Sequence, residues 1–129
     1  MNYMIIFNTE DRDFALDIIW FRKRLEERWG GSGIQFSDDV YSHLAWEMNF
    51  SNSVGFGWWD RAADCIAFSG SVDRKDWILF ALWFCSTLPS DIDCLIAPDT
   101  NSFSVFLRPD MFIEEVIVEI ERQYLDDVE

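Results

Sequence analysis

The stretch "SVGFGWWDRAAD", Ser53 to Asp64, places two adjacent tryptophans between a glycine pair and an Asp-Arg step. The fold depends on whether this stretch is extended. Neighbours on a strand point to opposite faces of the sheet, so Trp58 and Trp59 cannot enter the same core. One would face a packed layer and the other an open face or an edge. In an irregular loop, or in a sheet covered on both sides, both could be buried. Asn52, Ser53 and Gly55 mark a turn. A strand is then expected within Gly57 to Ser69, strongest at "DCIAFSG".

On the N-terminal side, "YMIIFN" (Tyr3 to Asn8) is a continuous apolar run that suits a buried strand. Thr9 can cap a helix from about Glu10 to Trp29. Phe14, Ile18, Phe21, Leu25 and Trp29 form one stripe on it, with acids at its start and Arg22, Lys23, Arg24 and Arg28 at its end. Gly30 and Gly31 terminate it. "WGGSGIQF" is not a phosphate loop, because its glycines follow a helix and do not lead into one. Val40, Leu44, Trp46 and Met48 alternate with Tyr41, His43 and Glu47, the period of a strand.

On the C-terminal side, Asp73 caps a helix that is apolar nearly all round, with Asp76 completing a capping-box-like arrangement. Trp83 is expected to be buried there, and Pro89 closes the helix. "DCLIA" and "SFSVFLR" read as strands joined by the turn "PDTN". Beyond Pro109, with Asp110 as cap, Ile113, Val116, Ile117, Ile120 and Tyr124 make a last helical stripe. The order β-α-β-β-α-β-β-α specifies an α+β fold. It is a mainly antiparallel sheet with three helices chiefly on one face, and its first six elements follow split-βαβ order. Residues 1–129 form a single domain with fraying at about 125–129.

Half of the 129 residues are hydrophobic and 17% aromatic, enough to build a core without staples. The chain carries 24 acids against 10 basic residues, a net charge of −14. That exceeds the roughly 2–8 that keeps a small domain soluble. Such a polyanion is repelled by nucleic acid phosphates and by anionic lipid, so neither is expected as a partner. The longest uncharged stretch, Trp77 to Ser90, is shorter than the ~20 residues of a membrane span. The N-terminus has no basic region preceding an apolar one. Cys65, Cys85 and Cys94 are odd in number and lack Cys-x-x-Cys spacing, which fits reduced thiols and a cytoplasmic location.

No pattern points to a reaction, a cofactor or a metal. His43 is the only histidine, and no serine lies in a Gly-x-Ser-x-Gly elbow. Zinc does not suit one histidine and scattered cysteines. The acidic pairs lack the glycine-bent loop of a calcium cage. A carboxylate pair contributed by distant residues would serve a hydrolase, and this is the enzymatic alternative.

Charge distribution is more telling. From Gly30 onward there are eighteen acids and five cations. Asp60, Asp64, Asp91, Asp93 and Asp99 sit in or beside turns next to aromatic residues. With Trp58 and Trp59 they form the candidate partner-binding set: an apolar anchor among steering charges. In size, charge, α+β order and lack of catalytic motifs the whole chain resembles the immunity proteins of bacterial polymorphic-toxin and contact-dependent inhibition systems. No residue roles carry over. The resemblance implies a cytosolic antidote that binds a basic toxin domain, often a nuclease, and occludes its active site or substrate path. A second binding alternative is a DNA mimic that occupies the site of a nucleic-acid-binding defence complex, which would need carboxylates at phosphate-like spacing.

Overall fold

The computed structural model of the chain describes residues 2–7, 18–30, 34–37, 44–50, 53–60, 65–69, 72–88, 92–100, 102–108 and 110–127, without the side chains of 18–20, 37, 60 and 124–127. The elements run β1 (Tyr3–Phe7), α1 (Ile18–Trp29), β2 (Gln35–Ser37), β3 (Leu44–Asn49), β4 (Val54–Asp60), β5 (Cys65–Phe68), α2 (Arg74–Thr87), β6 (Cys94–Pro98), β7 (Val105–Leu107) and α3 (Ile113–Asp127). The seven strands form one sheet in the order β2-β3-β4-β5-β1-β6-β7. Every neighbouring pair is antiparallel.

The α+β class and the three helices match the sequence reading, with two differences among the strands. The stretch expected to hold one strand between Gly57 and Ser69 is a pair, β4 and β5, whose connection lies outside the described residues. "IQF", assigned to the loop after the first helix, contributes the edge strand β2. Because β5 lies between β1 and β4, β1 has no parallel neighbour, whereas a βαβ crossover joins parallel strands.

One face of the sheet is the core. The register aligns Trp59 with Leu44 and Ile66, and Ile5 with Ile66 and Ile96. Both α1 and α2 lie on this face. The Phe21 ring is 5.6 Å from Trp46 and 5.3 Å from Trp59, and Phe80 is 4.8 Å from Phe68 and 4.9 Å from Trp29. Phe21, Leu25 and Trp29 are buried, as their spacing on a 3.6-residue helix requires. Val116 and Ile120 anchor α3, which packs on α2 and β7. Phe14, Val40 and His43 lie outside the described residues.

Two helix details depart from expectation. In α2 the central tryptophan is Trp77, fully buried, while Trp83 is half-buried at the helix rim against Trp29, 4.7 Å away. Six positions apart on a 3.6-residue helix, the two tryptophans point about 120° away from one another, so only one turns to the sheet. At α3, Asp110 does not cap. It faces Arg108 at 3.6 Å, and the Phe112 N–H donates instead to the Glu115 carboxylate at 3.1 Å, the returning half of a capping box.

The start of α2 fits its expected cap and adds a tie to the sheet. The Asp73 carboxylate accepts the Lys75 N–H at 2.9 Å, while the Asp73 N–H donates to Ser53 Oγ at 2.8 Å. Ser53 Oγ in turn donates to the buried Asp76 carboxylate at 2.8 Å. A hydroxyl from the start of β4 is thus inserted into the capping box. At the far edge, the Gln123 amide accepts the Ser104 N–H and donates to its carbonyl, at 3.0 and 2.6 Å. This side chain occupies backbone groups beside β7 that would otherwise invite another strand.

Candidate protein-binding face

The two tryptophans separate as strand geometry demands. Gly55, Gly57 and Trp59 point to the core, and Val54, Phe56 and Trp58 take the other face. Trp59 is 2% exposed and Trp58 is half-buried. The glycines are explained by what lies above them. A Cβ at Gly57 would come within 2.8 Å of both the Phe68 and Trp46 rings, and one at Gly55 within 2.5 Å of Phe50. Absent side chains at these two positions let the aromatic layer descend onto the sheet.

The second face carries no helix among the described residues. Its side chains stand in rows across the strands. One row reads Ala45–Trp58–Ala67–Met4–Ala97, and the next Cys65–Ile6–Leu95–Phe106. On the other side of the first row, Glu47 and Phe56 lie opposite one another, and the Phe56 and Trp58 rings are 6.3 Å apart. Val54, Phe56 and Phe106 are 49%, 45% and 69% exposed, an unusual outlay of large apolar surface.

The acids nominated from sequence distribute as follows. Trp58, Asp93 and Asp99 take the parity of this open face, since β6 reaches β4 through β1 and β5. Asp93 and Asp99 are exposed at either end of β6. Trp59 belongs to the core and cannot touch a partner. Asp64 and Asp91, and the side chain of Asp60, lie outside the described residues. Reading the sequence missed Val54, Phe56, Met4, Ile6, Leu95 and Phe106 as members of this face. The available signal was β1 itself, which is apolar at both parities although all three helices were placed on one side.

The electrostatics of the two sides differ. Several cations are matched locally: on α1, Arg22 with Glu26 and Arg24 with Glu27, both at 3.6 Å, and just after β7, Arg108 with Glu115 at 3.4 Å. Arg122 pairs with Glu119 and, with Gln123, holds its carboxyl below the usual range. Glu47, Asp93 and Asp99 have no cation within salt-bridge distance among the described residues. Among the described residues, these carboxylates on the open face are in no ion pair and stand near exposed apolar side chains.

Other features carry less chemistry. Cys85 and Cys94 are buried and free, while Cys65 is half-buried on the open face. The Cys94 thiol is pushed above the ordinary range, first by its hydrogen bond with Cys85 and then by burial. A groove of about 260 Å³ between α1 and α2 is lined by Arg24, Glu27, Arg28, Trp83, Ser86 and Thr87. Its hydroxyls donate back to their own helix, to the Trp83 and Phe84 carbonyls. Among the described residues no helix is long and apolar enough to cross a membrane, and no three His, Cys, Asp or Glu side chains gather as a ligand set. No family model matches the chain, and no curated protein or solved structure does.

Proposed function

We propose that this chain is an acidic protein-binding module, an antidote that neutralises a basic, nuclease-type toxin domain by occluding its active site or substrate path. The observation that carries the reading is Trp58, set beside Phe56 on the face of the sheet that no described helix covers, with the Glu47 carboxylate opposite Phe56 and in no ion pair among the described residues. A half-exposed tryptophan in anionic surroundings has the make-up of an interface anchor. A net charge of −14 steers it toward a groove built for phosphate. The size, charge and element order of the immunity proteins it resembles support the same role. The antidote works in the cytoplasm on its protein partner and binds no nucleic acid. Co-expression tests this. A basic toxin domain encoded immediately upstream in the source genome should stop growth, and this chain should restore it through a stable complex. An upstream product that is harmless, or one whose toxicity this chain leaves intact, would refute the reading.

A further inference from the structure

We infer that the docking surface extends well beyond the Trp58 site, as an apolar band crossing the sheet from β3 to β7, and that its occupant is a cationic protein surface bearing large apolar side chains. The assignment of a basic protein rests on the function proposed above; the extent of the surface rests on the sheet alone.

The band consists of the two rows that contain Trp58 and Phe106, with Phe56 on its flank, its ring 6.3 Å from that of Trp58. Same-face rows on a strand lie about 7 Å apart, and the five strand spacings from β3 to β7 add to about 24 Å. In the first row large and small side chains alternate. Ala45, Ala67 and Ala97 are only 2%, 7% and 2% exposed, so the accessible part of this row is Trp58 and Met4. A face meant for water alternates to polar residues, whereas this one stays apolar. At the centre of the sheet β1 places Met4 and Ile6 on this side.

Charge decides the occupant. Asp93 and Asp99 bracket the band at the two ends of β6, Glu47 borders it on β3, and none of the three is ion-paired among the described residues. A second copy would bring the same net charge of −14 against this rim. A surface of lysines and arginines around apolar anchors meets both features at once.

The probe is a synthetic Leu/Lys amphipathic helical peptide, titrated into the isotope-labelled full chain and followed by amide and indole NMR shifts. The control has serine in place of every leucine at unchanged charge. Shifts should gather on the two rows, including the Trp58 indole, with at least tenfold weaker binding of the control. The variant Phe56→Ser/Phe106→Ser should bind the Leu/Lys peptide at least tenfold more weakly while its circular dichroism stays native, because both rings are already exposed. Shifts confined to α3, or equal binding of the two peptides, would overturn the proposal. So would a dimer seen by sedimentation of the free chain and lost in the double variant, which would assign the face to a second copy. If growth rescue survives in Phe56→Ser/Phe106→Ser, the surface is wrong and the antidote reading stands. If the peptide docks on the band and no rescue occurs, the reverse holds.

Discussion

Adding a single methyl group to β4 should destabilise the protein although it fills no space that water occupies. In Gly57→Ala the new carbon would lie 2.8 Å from Phe68 Cε1, 2.8 Å from Trp46 Cε2 and 2.9 Å from Trp46 Cζ2. All are ring atoms of fully buried side chains, which cannot swing aside like the end of a lysine. Overpacking of this kind costs about 1–3 kcal/mol, and two clamped rings place it toward the upper end. Alanine recovers roughly 0.5–1 kcal/mol of strand preference over glycine. The net loss is about 1.5–2.5 kcal/mol, or roughly 6–10 °C in Tm for a domain of this size. Gly30→Ala is the control, since its Cβ would meet only Glu26 Cβ at 4.0 Å, and it should be neutral. Thermal and urea unfolding of both variants decide the matter. A Gly57→Ala protein as stable as the parent would show that the aromatic layer does not rest on the glycines.

Trp59→Ala empties the space beneath Phe21 and should cost about 3–5 kcal/mol, whereas Trp58→Ala on the open face should cost about 1 kcal/mol or less by the same urea unfolding. Ser53→Ala removes the hydroxyl between the Asp73 N–H and the buried Asp76 carboxylate, for a loss of about 1–3 kcal/mol. A loss below about 0.5 kcal/mol, the error of such measurements, would show that the tie is ornamental. Cys94 binds its proton more tightly folded than unfolded, so its contribution is fully present below the ordinary thiol pKa of 9.0 and is lost as pH rises above it. Above that pH the stability of the wild type should fall more steeply than that of Cys94→Ala, by up to about 1.4 kcal/mol per pH unit, in denaturant titrations. Parallel slopes would contradict the assignment.

What the sequence disclosed depended on how local each signal was. The α1 stripe and the Asp73 cap are set within a few residues, and the cap appears as read, as do the described stripe members Phe21, Leu25 and Trp29. The strand β2 has three residues, too few for a period to show. The alternation in β4 was hidden because glycine registers as neither apolar nor polar, and the need for Gly57 arises only when Trp46 and Phe68 are brought in from neighbouring strands. The α3 cap was misassigned to Asp110 because a carboxylate near a helix start is an ambiguous signal, and here Arg108 claims it. For the candidate face, Trp58, Asp93 and Asp99 were visible as aromatic and acidic residues near turns. Their common side of the sheet follows from β1 joining β5 to β6, a pairing between residues as far apart in the chain as Tyr3 and Pro98. Phe106 was overlooked because its strand reads as buried on both parities until the sheet order is known.

The most direct measurement is the equilibrium affinity of this chain for the upstream-encoded basic toxin domain, wild type against Trp58→Ala. The variant should stay folded, with a small change in melting. It should bind at least about 30-fold more weakly, the loss of roughly 2 kcal/mol expected of an interface anchor. A folded Trp58→Ala protein that binds the domain within about threefold of wild type, a difference of roughly 0.7 kcal/mol, would contradict the claim that the open face of the sheet is where this protein meets its partner.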